Sequence, residues 1–166
     1  MKSRVVPLLF AVVILTFSNC GGDDDPKSSS KVVGKWNVKT IDPIISVVGG
    51  NIHEFLVNSA GMTEEDATAF EASLNSPDFA GLEIQTMEFR SDLTYTTSDG
   101  VDHQDGNWEI SADEKTLTVD KGTAHEDQVP IRTLTDTALV FEVDESDLVD
   151  IDGLKYTLLI TLERVQ

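Results

Sequence analysis

Cysteine and positively charged side chains are both scarce in this chain of 166 residues. A single cysteine allows no internal disulfide, so packing alone has to hold a folded domain together. The 12 Lys and Arg face 30 Asp and Glu, which gives a formal net charge of −18. Nucleic-acid backbones are bound by clustered basic side chains, so we expect no nucleic-acid partner. An anionic membrane surface is disfavoured for the same reason.

The motifs of common catalytic and metal sites are also missing. His53, His103 and His125 lie in different segments, without the i, i+4 spacing or C-x-x-C partners of a zinc site. Ser59 and Ser73 lack the G-x-S-x-G turn of hydrolases, and no glycine-rich phosphate loop follows a predicted strand. We therefore expect no catalytic residue, no metal ligand and no cofactor, in a protein that is not an enzyme.

An acidic loop near the carboxyl end is the remaining candidate for a metal site. Its carboxylates belong to Asp144, Glu145, Asp147, Asp150 and Asp152. Calcium takes several such oxygen ligands, but the register of an EF-hand does not fit. With Gly153 as the loop glycine, Leu148 falls at position one and Leu159 at position twelve. A solvated loop is the preferred interpretation, and calcium binding stays open as the alternative.

The sequence begins with a short apolar run. Lys2 and Arg4 precede the mostly apolar residues 5–17, whereas a membrane-spanning helix needs about 20 residues. A positive start followed by a run of this length is typical of a secretion signal. We assign residues 1–19 to a signal peptide, whose removal takes away two positive charges and changes −18 to −20.

The single cysteine follows this run directly. Phe17-Ser18-Asn19-Cys20 resembles the lipobox of bacterial lipoproteins, with Phe17 in place of the usual Leu and Asn19 in place of Gly or Ala. The resemblance implies that Cys20 is acylated and that the lipid is what attaches the protein to a membrane. The alternative is an ordinary secretion signal with an incidental cysteine.

Residues 20–31 have the composition of a flexible, acidic tether, rich in Gly, Ser and Asp. Gly21 is not an inner-membrane retention residue in the bacterial sorting pattern. Asp23, Asp24 and Asp25 resemble the acidic export signal of Bacteroidota surface lipoproteins. We expect a lipid-anchored protein of the outer membrane, on its periplasmic side or at the cell surface.

Residues 32–166 suit one domain with one core. Alternation of apolar and polar residues begins at Gly34, and we expect Pro43 to end this first strand. After Gly81, further alternating runs are separated by short polar turns, which makes about eight strands. Short turns favour antiparallel neighbours, and closure removes open edges. The predicted fold class is all-β, an antiparallel eight-stranded meander barrel with a small helical insert; a two-layer sandwich is the alternative.

The insert, at about 44–78, has a helical pattern. Asn51 is a capping residue for a helix over 51–60, with Glu54 placed to complete a capping box. Thr63 can cap a second helix over 63–75, whose first turn is acidic, as the helix dipole favours.

The start of the first strand carries a family resemblance. Gly34-Lys35-Trp36 resembles the G-x-W signature of lipocalins. Later stretches are similar to the lipocalin-like lipoproteins common in Bacteroidota: 87–95, 106–110, 113–119 and 131–141. The resemblance covers nearly all of 32–166. It implies that Trp36 closes the base of a barrel and that Arg164 packs on it, both in structural roles.

The helical insert departs from simple lipocalins, and fatty-acid-binding barrels carry a helix-turn-helix lid at the equivalent point. By analogy, the two helices would cover the mouth of a barrel able to hold one small ligand. The candidate cavity and lid residues are Phe55, Leu56, Phe70, Leu74, Met87, Phe89, Tyr95, Trp108, Phe141, Leu158 and Ile160.

Two functions follow from these patterns. The first is a lipid-anchored cell-envelope lipoprotein that binds a small apolar or amphiphilic ligand inside its barrel. The second is a surface or periplasmic protein-interaction module with a filled barrel, whose protein partners the sequence does not name. A hollow interior favours the first function, and a packed interior with an exposed apolar patch favours the second.

Overall fold

The computed structural model describes residues 31–76 and 79–166. Its strands are β1 Gly34–Val47, β2 Thr86–Phe89, β3 Thr94–Ser98, β4 His103–Ile110, β5 Thr116–Val119, β6 Asp127–Leu134, β7 Ala138–Asp144 and β8 Leu154–Arg164. Each strand pairs antiparallel with its neighbours in sequence, and β8 pairs with β1 to close the sheet into a barrel. The predicted barrel is confirmed and the sandwich alternative is wrong. The predicted signal peptide, the lipidation at Cys20 and the tether up to residue 30 lie outside the described residues.

One end of the barrel, where β1 begins and β8 ends, is the base. The buried Trp36 side chain donates a hydrogen bond of 2.8 Å to the Val32 carbonyl. The Arg164 guanidinium lies 4.2 Å from the centre of the Trp36 ring and donates to the Val33 carbonyl at 2.7 Å. This is the arrangement that the lipocalin resemblance implies for Trp36 and Arg164. It ties the segment before β1 across the base.

Gly34 is part of the same arrangement. Its φ of +141° is a conformation that residues with a Cβ rarely adopt, and a Cβ there would collide with Arg164 Nη1. The glycine of the signature is therefore required by the arginine that follows it 130 positions later.

The first strand is longer than the sequence suggested. We expected Pro43 to end it, but β1 continues to Val47, so the helical part of the insert also begins later than residue 44. β2 pairs only with residues 34–37, which leaves the second half of β1 with β8 on one side. Proline is tolerated at such an edge because its missing N–H removes no bond between strands.

The opposite end of the barrel is the mouth, where the described parts of the long connection after β1, 48–76 and 79–85, and the loops 99–102, 120–126 and 145–153 lie. That connection carries α1 Ile52–Asn58 and α2 Glu64–Leu74. Both predicted helices are therefore present. No helix within residues 31–76 and 79–166 is long and apolar enough to span a membrane.

Candidate functional site

A cavity of ≈ 190 Å³ lies in the mouth half of the barrel. Its inner wall is formed by four residues from the predicted set: Met87, Tyr95, Phe141 and Ile160. Leu117 and Val119 of β5 and Val129 of β6 extend the apolar wall. The structure thus brings together residues from most strands around one small, largely apolar space.

Three other predicted cavity residues do not line this space. Phe89 and Trp108 pack edge to face, with ring centres 5.4 Å apart, and the Trp108 indole donates to the Arg90 carbonyl at 3.2 Å. Leu158 is buried within the core. These side chains fill the barrel rather than line its cavity.

The four predicted lid residues, Phe55, Leu56, Phe70 and Leu74, do not line the cavity either. Leu56 and Leu74 are fully buried in the core cluster. Phe70 contacts Phe79, whose ring packs edge to face on Tyr156 at 5.2 Å. The apolar faces of the helices are therefore used in packing near the start of β8.

The segment 81–85, which has no regular secondary structure, contributes to the cavity lining, whereas the two helices do not. Leu82 and Ile84 of this segment both lie on the cavity, and Gln85 fixes its end by donating to the Ser98 carbonyl at 2.7 Å. The alternating pattern after Gly81 predicted a strand here, but β2 begins only at Thr86.

The mouth side of the cavity has a polar rim. Its members are Thr97, Gln104, Asp127 and Glu145. Burial raises the pKa of the Glu145 carboxyl, and repulsion from Asp127, Asp144 and Asp147 raises it further. Within the described part of the chain, no hydrogen bond or ion pair is made to this carboxylate, although the Glu145 backbone N–H bonds the Tyr156 carbonyl at 2.9 Å.

Tyr95 closes the cavity on one side. It lies opposite Gly106 on β4, where any Cβ would come within 2.5 Å of the tyrosine ring. Its hydroxyl donates to Asp120 Oδ2 at 3.2 Å. Burial, with the nearby Asp120 charge, raises the pKa of Tyr95 to about 12. Gly106 and Asp120 also line an open groove, so Tyr95 stands between that groove and the cavity.

Two of the residues weighed as metal ligands, His53 and Asp144, have other partners. His53 contacts Glu64 at 2.8 Å and Glu71 at 3.4 Å, and the Glu64 hydrogen bond raises the pKa of His53. In the acidic loop, Asp144 pairs with Lys155 at 3.3 Å. Across residues 31–76 and 79–166, no group of three or more His, Cys, Asp or Glu is placed to hold a metal ion.

Several cavity residues were not predicted from the sequence, although the period-two alternation that identifies them was present. Val143 and Glu145 continue the inward alternation of Phe141 by two and four positions, and Asp127 precedes Val129 by two. Extending the period-two pattern of β6 and β7 one step towards the mouth would have found both carboxylates.

No protein-family model and no curated protein matches the chain. The crystal structure of a DUF4847 family protein from Bacteroides vulgatus matches with 13% sequence identity and a TM-score of 0.34. The match covers 79% of this chain and 94% of that chain. Values this low support no inference about family or function.

Proposed function

We propose that this protein is a lipid-anchored lipoprotein of the cell envelope, held at the outer membrane through Cys20, and that its lipocalin-like barrel binds a small amphiphilic molecule. The observation that carries the binding proposal is the ≈ 190 Å³ cavity inside the barrel, with apolar walls and a polar rim. Cavities of this kind bind apolar groups through their walls and orient them through a few polar groups.

The volume limits the ligand. Typical sites for drug-sized molecules have about 300–1,000 Å³, whereas an apolar cavity of about 150 Å³ is enough for benzene. The ≈ 190 Å³ here suits one aromatic ring or a short alkyl chain. A complete long-chain fatty acid, which the analogy with helix-lidded barrels would suggest, is too large.

We propose binding without catalysis. The titratable side chains of the cavity are Tyr95, Asp127 and Glu145, with no His, Lys, Cys or Ser beside them. With its pKa at about 12, the Tyr95 phenol remains protonated near neutral pH. This set lacks an adjacent nucleophile and general base of the kind that acyl or phosphoryl transfer uses.

The interaction module is kept as a second candidate because of two exposed side chains at the mouth. Val48 is 82% exposed and Val101 is 89% exposed, in the connection after β1 and in the turn between β3 and β4. Exposed apolar groups on loops are suited to a protein partner.

Native mass spectrometry of the intact chain, purified gently from its cells, tests ligand binding. Val143→Phe fills the cavity, and Val140→Phe is the matched control because it makes the same change on the outer face of the same strand. We expect a bound small molecule that is lost only from Val143→Phe, with both variants folded by circular dichroism. A bare mass and no uptake of single-ring or short-chain probes would overturn the proposal.

The anchor needs its own test. We expect the intact protein to sediment with outer membranes and to carry acyl mass on the peptide that begins at Cys20. Cys20→Ser should release it into the soluble fraction. A wild-type chain that is soluble and unmodified would contradict the anchor without bearing on the cavity.

A further inference from the structure

The charges on the cavity wall have one sign. Two carboxylates, those of Asp127 and Glu145, lie on the rim, and no Lys, Arg or His lines the cavity. Lys155 on β8, which pairs with Asp144 of the acidic loop at 3.3 Å, does not line the cavity. A ligand entering from the mouth therefore meets negative charge that no cavity residue neutralises.

Of the two rim carboxylates, that of Glu145 is the one whose interactions point to a bound cation. It is partly buried, and its carboxylate oxygens have no hydrogen-bond or ion-pair partner among the described residues. Removing an ionised carboxylate from water is costly unless a donor or opposite charge compensates it. The raised pKa of Glu145 has burial as its main cause, followed by the charge of Asp127. A cation bound at the rim would supply the missing partner.

The apolar wall begins directly below these carboxylates. Val129 lies two residues from Asp127 on β6, and Val143 lies two residues from Glu145 at the end of β7, all facing the same cavity. Because side chains two apart on a strand share a face, each carboxylate stands above an apolar side chain. The geometry matches a molecule with a cationic head and an apolar body.

The charge of the whole molecule acts in the same direction. A net charge of −18 raises the local concentration of cations and repels carboxylates and phosphates. A fatty-acid anion would have to approach this surface and then place its head beside Glu145 and Asp127. An ammonium ion meets attraction at both steps.

We propose that the ligand is a small cationic amphiphile, an ammonium group on one aromatic ring or short alkyl chain, with the ammonium held by Glu145 and Asp127 and the apolar part enclosed by the cavity. This inference rests on the proposed function, since it names the chemical class of ligand for the same cavity.

The test compares three probes of equal shape: benzylammonium, benzyl alcohol and benzoate, with the n-hexyl series in parallel. Affinities are measured by calorimetry on the intact chain in phosphatidylcholine nanodiscs, with empty discs as the blank. We expect the ammonium to bind about tenfold more tightly than the alcohol, as suits hydrogen bonds to a charged group. Benzoate should bind most weakly.

Glu145→Gln is the decisive variant, and Asp150→Asn is its matched control in the same loop. Both remove one negative charge, but the exposed Asp150 does not line the cavity. We expect Glu145→Gln to lose most of the preference for the ammonium over the alcohol, and Asp150→Asn to keep the wild-type preference.

The outcomes separate the two proposals. Equal or tighter binding of the alcohol or benzoate, abolished by Val143→Phe, would overturn the cationic ligand and leave the binding barrel intact. An ammonium preference that Asp150→Asn reduces as much as Glu145→Gln would overturn the role of Glu145. Binding of none of the six probes would overturn both proposals.

Discussion

Arg164, at the end of β8, connects this strand to the segment before β1 and to the turn between β6 and β7 at the base of the barrel. It donates to the carbonyls of Lys31, Val33 and Asp136, and its guanidinium covers the Trp36 ring. Only a planar group with several fixed donors can make all of these contacts at once. A lysine would keep the charge but lose most of the hydrogen bonds.

We therefore expect Arg164→Lys to lower the free energy of unfolding by about 2 kcal/mol, from the lost bonds and the weaker contact with the ring. Arg132→Lys is the control, since Arg132 is an exposed partner of Glu142 and such pairs contribute about 0–1 kcal/mol. Urea denaturation followed by tryptophan fluorescence measures both. Equal losses in the two variants would show that the base does not depend on the guanidinium geometry.

The two tyrosines of the chain resist ionisation. Tyr95 has its pKa raised to about 12 by burial and by Asp120, and burial also raises the pKa of Tyr156. In the unfolded chain, the tyrosine side chains ionise near pH 10. Because the folded pKa of Tyr95 is the higher one, its contribution to stability is complete below pH 10 and is lost as the pH rises to about 12.

Tyrosinate absorbance should therefore rise near pH 10 in denaturant and only at higher pH in the native protein. Tyr95→Phe should remove one of the two native components and leave that of Tyr156. Native and denatured chains that titrate together would mean that Tyr95 is not enclosed between Gly106 and Asp120 as described.

The sequence was informative about residues whose role is carried by a motif and silent about those whose role depends on folding. Gly34 and Trp36 could be placed from the signature, and Arg164 from the wider lipocalin resemblance. The partner of Tyr95 could not, because Asp120 lies 25 residues away and meets it only when β4 has paired with β3 on one side and with β5 on the other.

At the scale of elements, the helix starts are determined locally. Asn51 Oδ1 accepts from the Glu54 N–H at 3.0 Å, and Thr63 Oγ1 accepts from the Asp66 N–H at 3.1 Å. Both caps could be predicted because the residues involved lie three positions apart. The end of β1 could not, because the tolerance of Pro43 depends on an edge that distant strands create.

We expect Thr63→Ala to destabilise the protein by about 1 kcal/mol, the usual cost of losing an N-cap. Thr68→Ala is the control, since Thr68 lies inside α2 and its hydroxyl bonds only the Glu64 carbonyl of the preceding turn. Thermal unfolding of the two variants, with hydrogen exchange of the α2 amides, measures the difference. An unchanged exchange rate in Thr63→Ala would contradict a cap that holds the helix start.

For the whole molecule, the main division is between a filled base half and a partly empty mouth half. Strand number and closure followed from the alternation and the short turns. Whether the interior was hollow could not be predicted, because inward apolar residues have the same sequence pattern in a hollow barrel and in a filled one. The two helices do not line the cavity and pack instead against Phe79 and the core.

Because of this division, the same Leu→Ala truncation should lower the free energy of unfolding more in the filled half than beside the cavity. Leu139 and Leu117 are both fully buried strand residues, but only Leu117 borders the cavity. Leu139→Ala should cost about 3–5 kcal/mol, and Leu117→Ala about 2–3 kcal/mol because fewer packed neighbours are lost. Denaturation in urea gives both values. A larger loss at Leu117 would mean that the mouth half is as tightly filled as the base.

The base is also where the chain enters the barrel, since Val32 is buried there and Arg164 holds the Val33 carbonyl. With Cys20 acylated as proposed, ten residues lie between Cys20 and Lys31, and this stretch reaches at most about 40 Å. The lipid then attaches at the base end of the barrel, opposite the mouth, so the proposed anchor and the proposed binding cavity lie at opposite ends of the domain.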